Sequence, residues 1–128
     1  MSEEKFAVII AGSRTFDDYE LLCEKCDLFF SRKKPTLILC GEAEGADALG
    51  KQYAFDRGLA VEPHPADWRK NGRGAGYMRN REMLKEADAL VAFWDGTSKG
   101  TKHMIDIAKE AGIPVRVVIS SGELLDDI

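Results

Sequence analysis

The sequence predicts an α/β protein: one doubly wound, Rossmann-like domain with a five-stranded, mainly parallel sheet in the order 3-2-1-4-5 and helices on both faces. Three observations predict it. Apolar runs alternate with amphipathic segments in a βα rhythm, which calls for a parallel sheet covered by helices. The runs at 6–11 and 89–94 are almost continuously apolar, as strands buried on both faces must be. At 128 residues the chain is one domain in size, large enough to bury a core, and right-handed crossovers then place helices on either side of the sheet.

The elements follow in order. Strand one spans 6–11 and runs into Gly12-Ser13-Arg14-Thr15-Phe16; helix one starts after Asp17 or Asp18, either of which suits an N-cap, and ends before Pro35. Strand two, 36–40, leads through an acidic glycine loop to helix two, 46–57, which stops at Gly58. Strand three, 60–63, is followed by a long glycine-rich loop, 64–76, and by helix three, 76–87. Strand four, 89–94, opens into the loop 95–101 before helix four, 102–111, with Gly112 as its C-cap and Pro114 just beyond. Strand five is 115–119, and 120–128 is expected to be a tail or one helical turn.

Composition narrows the function. A formal net charge of −4 disfavours broad electrostatic binding to a nucleic-acid backbone while leaving room for a local basic pocket. No apolar run approaches the ~18 residues of a membrane span. The opening Met-Ser-Glu-Glu-Lys lacks a signal-peptide core, so a cytoplasmic protein without membrane partners is expected. The three cysteines read as reduced thiols. Cys23 and Cys26 form a C-x-x-C inside a helical pattern without a second pair, and so read as small core residues. No metal and no cofactor is expected.

In a doubly wound sheet, ligands bind at the carboxyl ends of the strands where the order reverses, here between strands one and four. The loop Asp95-Gly96-Thr97-Ser98-Lys99-Gly100-Thr101 has the character of a phosphate turn: glycines for close backbone approach, hydroxyl donors, and a helix N-terminus behind them. Gly12, Ser13 and Arg14 face it across the switch point, and Arg14 suits two-pronged phosphate contact. The second loop contributes Gly41, Glu42, Gly45 and Asp47. Acids after strand two of such folds hold ribose hydroxyls, although Asp47 equally suits a first-turn residue favoured by the helix dipole. The spacing is not G-x-G-x-x-G, which excludes a standard NAD-dehydrogenase, and strand one lacks the acidic cluster of a receiver domain.

Arg79 precedes Met83 by four residues and so shares its inward face. Such an arginine needs a partner, either the ligand or a loop acid; Asn80 follows it, and Arg81 reads as solvated. The 64–76 loop is either a lid bringing Trp68 over a base and Arg73 to a phosphate, or a basic surface loop. His64 reads as a polar strand end.

Taken together, Gly12-Ser13-Arg14-x-Phe16, Gly41-x-x-x-Gly45-Ala46-Asp47, Arg79-Asn80-x-x-Met83 and Asp95-Gly96-x-Ser98-x-Gly100-Thr101 resemble the SLOG superfamily, and among it the small YspA-like, YpsA-related members. The resemblance covers residues 6–119. It implies a Rossmann-like domain that binds a nucleotide or nucleotide derivative, as a sensor or accessory protein, and a homodimer paired through helices. It also implies an alternative, a nucleotide-cleaving hydrolase like the Lonely Guy phosphoribohydrolases, whose helix arginine falls on Arg79 and whose Gly-Thr falls on Gly100-Thr101. Their glutamate falls on Met104, whose thioether can neither stabilise an oxocarbenium centre nor move a proton. Arg79, Asp47 and Asp95, with Glu42, remain the candidates for catalysis. A third branch handles single-stranded DNA; the negative charge and the lack of a basic, aromatic stripe disfavour that reading.

Overall fold

The computed structural model describes residues 4–41 and 43–119, and the backbone alone of 124–127. Its elements are β1 (Ala7–Gly12), α1 (Tyr19–Phe29), β2 (Leu37–Gly41), α2 (Ala46–Asp56), β3 (Val61–His64), α3 (Trp68–Asn71), a 3₁₀ turn (Gly72–Gly74), α4 (Ala75–Glu86), β4 (Ala89–Trp94), α5 (Lys99–Ala111), β5 (Val115–Ile119) and β6 (Leu124–Asp127). The sheet order is β3-β2-β1-β4-β5-β6. The first five strands are parallel in the expected 3-2-1-4-5 order, so the doubly wound, Rossmann-like fold holds. The sixth pairs antiparallel with β5, Arg116 opposite Asp127 and Val117 opposite Asp126. The expected tail or helical turn is thus corrected to an edge strand. Its sequence, Leu-Leu-Asp-Asp, lacks the β-branched run that marks a strand, and pairing with an open sheet edge supplies what propensity does not.

Strand alternation divides the core. Val8 and Ile10 point to one face, against Leu22 and Cys26 of α1 and Tyr53 and Ala54 of α2. Ala7 and Ile9 point to the other, against Met83 of α4 and Met104, Ile105 and Ala108 of α5. Each fully buried aliphatic or methionine side chain contributes about 1.5–3 kcal/mol relative to exposure, so β1, with four consecutive residues at 0% exposure, anchors both layers. Cys26 belongs to this core, Cys23 is half-buried, and both are free thiols, as the helical C-x-x-C implied.

Local chemistry sets the helix ends. Asp18 caps α1, accepting the Leu21 N–H at 3.0 Å. Asp67 does the same for α3, accepting from Lys70 at 3.1 Å. That short helix and the 3₁₀ turn correct the expected 64–76 loop: the segment from Trp68 is helical up to α4. Its glycines mask the signal, because each lowers helix propensity by about 1 kcal/mol. α5 begins at Lys99, three residues before the expected start, since Ser98 is its N-cap and accepts from Thr101 N–H at 3.5 Å. Gly100 and Thr101 therefore belong to a first helical turn, not to a loop.

Candidate functional site

At the carboxyl ends of β1 and β4 the strands part, and three connections are tied to one another by backbone. Ser13 N–H donates to Phe93 O at 2.9 Å, and Ser13 O accepts from Ala46 N–H at 3.2 Å. Ser13 Oγ accepts the Asp95 N–H at 2.9 Å. The side chain of Ser13, 1% exposed, is thus a brace beneath the rim. Gly12 fits only without a side chain: a Cβ there would lie 2.2 Å from Phe93 O and 2.6 Å from the Ala46 methyl. Gly45, at φ +72°, has the left-handed backbone that brings the second loop against the first.

Above this rim lies a cavity of about 380 Å³ lined by Gly12, Arg14, Asp47, Arg79, Asn80, Asp95, Ser98, Gly100 and Thr101. Those nine of the residues expected from sequence come together. Ser13, Gly41 and Gly45 pack behind the walls, and neither they nor Gly96 line the cavity. Glu42 lies outside the described residues. Trp68 and Arg73, expected from the lid reading, also line the cavity, though from helical turns.

Arg79 enters from α4. Its Nη1 lies 3.9 Å from Asp47 Oδ2 and donates to His64 O at 3.5 Å. Its Nε donates to Asn80 Oδ1 at 3.1 Å. Both side chains of the Arg79–Asp47 pair are largely buried, 14% and 7% exposed. The loop acid anticipated as Arg79's partner is therefore Asp47, within the cavity itself. Gly41 makes room for this pair: a Cβ at Gly41 would fall 2.1 Å from Arg79 Nη1 and 2.6 Å from Asp47 Oδ2.

Asn80 is buried and uses both ends of its amide. While its oxygen accepts from Arg79, its Nδ2 donates to Gly100 O and to His103 Nδ1, each at 3.2 Å. One side chain thus sets the guanidinium and fastens α4 to the first turn of α5. His103 stacks on Tyr77 at 4.3 Å. Its Nε2 is buried without a hydrogen-bond partner among the described residues, and burial, then the nearby charge of Arg81, holds the imidazole pKa below its usual 6.5.

The charges are unequal in freedom. Asp95 Oδ1 accepts the N–H groups of Thr97 and Ser98, both at 2.8 Å, and these bonds depress its pKa. This is a loop-shaping carboxylate that stays ionised at neutral pH and has no proton to give. Trp94 Nε1 donates to Ser98 O at 3.0 Å and steadies the same turn. Arg14 is exposed at the mouth, with no ion pair among the described residues. At the N-terminus of α5, Lys99 and Gly100 have N–H groups without intrahelical acceptors, beside the helix's partial positive charge. Local geometry therefore favours an anion in a chain whose net charge is −4.

Thr15, in the loop read as facing the pocket, lines it as well; sequence reasoning missed Tyr77 as a lining residue and His103 behind it. Tyr77, 40% exposed two residues before Arg79, was the available signal. Trp68, 52% exposed, offers a second aromatic surface at the mouth. Met104, 1% exposed, lines the cavity floor.

Comparison with known proteins agrees with this architecture. The chain is 36% identical over 115 residues to the Gene 61 protein of Mycobacterium phage D29, an alignment covering 84% of this chain and 92% of that protein. In fold it is similar to DNA processing protein A (DprA) from Streptococcus pneumoniae, with a TM-score of 0.66, 15% identity and 89% of this chain covered. It spans half the length of that structure, and at this identity the likeness concerns the fold alone. The model of the YspA, cpYpsA-related SLOG family matches residues 6–71, just over half of the chain. That match makes this chain a member of the YspA, cpYpsA-related SLOG family.

Proposed function

We propose that this protein binds a nucleotide or nucleotide derivative at the carboxyl ends of β1 and β4, as a cytoplasmic sensor or accessory protein that pairs as a homodimer. One observation carries the reading: the open first turn of α5, Arg14 and Arg79 converge on one cavity whose mouth holds two exposed aromatic rings. Phosphate takes the N–H groups of Lys99 and Gly100 and the two guanidiniums. Trp68 or Tyr77 offers its face to the base. Asp47, held by Arg79, faces the ribose hydroxyls as acceptor.

Calorimetric titration of the full chain with inorganic phosphate, nucleoside mono- and diphosphates, ADP-ribose derivatives and a short single-stranded oligonucleotide tests this. Binding of a mononucleotide-class ligand at micromolar to low-millimolar concentration, weakened by Arg79→Ala, is expected. If the folded protein binds no small phosphate ligand at millimolar concentration, the reading fails. Salt-sensitive binding of the oligonucleotide alone would transfer the site to the nucleic-acid reading.

A hydrolytic reading is kept alive by Asp47, a carboxylate inside the cavity next to a phosphate anchor. Against it stands Met104 where the Lonely Guy enzymes have glutamate, and Asp95 is occupied by its own loop. Chromatography of nucleotide incubations decides it. Free base that disappears in the Arg79→Ala, Asp47→Ala double variant is the outcome this alternative requires.

A further inference from the structure

Beside the cavity, on the outer edge of the sheet, three potential metal ligands meet outside the pocket described above. Glu62 and His64 are two apart on β3, so their side chains leave the same face of the strand, and Glu86 ends α4 above them. His64 Nε2 lies 2.7 Å from Glu62 Oε2 and 3.3 Å from Glu86 Oε2. One donor atom from each of the three lies within 4.8 Å of the others. Among the described residues no lysine or arginine forms an ion pair with either glutamate, although the Lys5 ammonium acts on both through its charge and the two carboxyl groups hydrogen-bond to each other.

The donor set and its spacing decide the kind of ion. An imidazole and two carboxylates are borderline ligands suited to Zn²⁺ and its neighbours, whereas Mg²⁺ and Ca²⁺ favour oxygen alone. Metal–ligand bonds of ~2.0–2.2 Å in a tetrahedron separate the donor atoms by roughly 3.4 Å. The His64–Glu86 separation already has that length, and Glu62 needs to withdraw by well under 1 Å. Both carboxylates are about two-fifths exposed, which gives an ion a path in and leaves a coordination position to water.

The place of the cluster gives it a consequence. The carbonyl of His64 accepts from Arg79 Nη1, and the imidazole belongs to the cluster. An ion on the side chain would fix the backbone that holds the cavity's guanidinium. We infer that Glu62, His64 and Glu86 form a three-ligand site for one divalent transition ion of the Zn²⁺ class, which clasps the edge strand β3 to the end of α4.

The test uses the full chain, free of any affinity tag and stripped by chelator. Zn²⁺ is titrated calorimetrically and Co²⁺ by its visible tetrahedral absorption. One ion per chain is expected, with a raised melting temperature in its presence. His64→Ala should abolish the cobalt bands, and Glu62→Gln or Glu86→Gln should weaken binding at least about tenfold. The two glutamine variants change exposed groups and retain shape, so they carry the test if His64→Ala does not fold. Absence of binding below about 100 µM free ion overturns the inference. So does binding that all three substitutions leave unchanged, which would place the ion elsewhere, as on Cys23. Neither result overturns the nucleotide reading, because none of the three ligands lines that cavity; the nucleotide titrations are run on chelator-stripped protein so that the two outcomes stay distinguishable.

Discussion

Gly41→Ala separates the position of Arg79 from the stability of the fold. The added methyl would sit 2.1 Å from Nη1 and 2.7 Å from Cζ of Arg79, far inside contact distance, so something must move. What can move is the far end of a flexible side chain beside an open cavity, not backbone. Swinging the guanidinium outward breaks its approach to Asp47 and its bond to His64 O, at a cost of about 1–2 kcal/mol. For a domain of this size that lowers the melting temperature by roughly 4–8 °C. The displaced charge no longer reaches a phosphate in the cavity. A charge-assisted bond of about 1.5–3 kcal/mol is lost, which weakens binding by roughly 10- to 150-fold. Calorimetry with the tightest-binding nucleoside phosphate and a thermal melt measure the two effects side by side. A folded variant that binds within twofold of the parent would refute the role given to Arg79.

Three further outcomes follow from the same geometry. Gly12→Ala pushes a methyl against Phe93 O and the Ala46 methyl, both on rigid elements, and should cost about 3 kcal/mol in urea unfolding; a loss under 1 kcal/mol would contradict the close packing at the rim. Ser98→Ala removes the cap of α5 and should cost about 1 kcal/mol by the same measurement, with ligand affinity falling as the first turn frays. His103 has a depressed folded-state pKa, so below its ordinary value of 6.5 the unfolded chain binds a proton that the folded chain refuses. Stability therefore falls as pH drops through 6.5 and levels off below the folded value; urea midpoints between pH 8 and 5 should show this slope, and His103→Gln should flatten it.

The sequence was most legible where burial dictates residue type. The apolar runs of β1 and β4 have to lie at the sheet centre, and the strand order followed from that and from crossover handedness. Legibility failed where tertiary contact overrides local preference. Nothing in Leu124–Asp127 marks a strand until β5 offers it an edge, and the glycines before α4 conceal helical turns. The cavity was readable in part for a related reason. Residue types suited to anions could be recognised, but a hydroxyl that binds ligand and one that braces a loop are alike in sequence; Ser13 proved to be the second kind. Asn80 shows the converse, a polar residue whose work of orienting Arg79 and joining two helices exists only in three dimensions.

The two ends of the sheet are finished differently, and this limits how copies of the chain can associate. At one end Pro63, which has no N–H, sits in β3 between two ionisable residues. At the other, β6 closes the parallel array with a reversed strand ending in two aspartates. The β3 border lacks an outward donor at Pro63 and so does not welcome another strand. Strand addition at the β3 edge is therefore disfavoured for copies of this chain, whatever else they share.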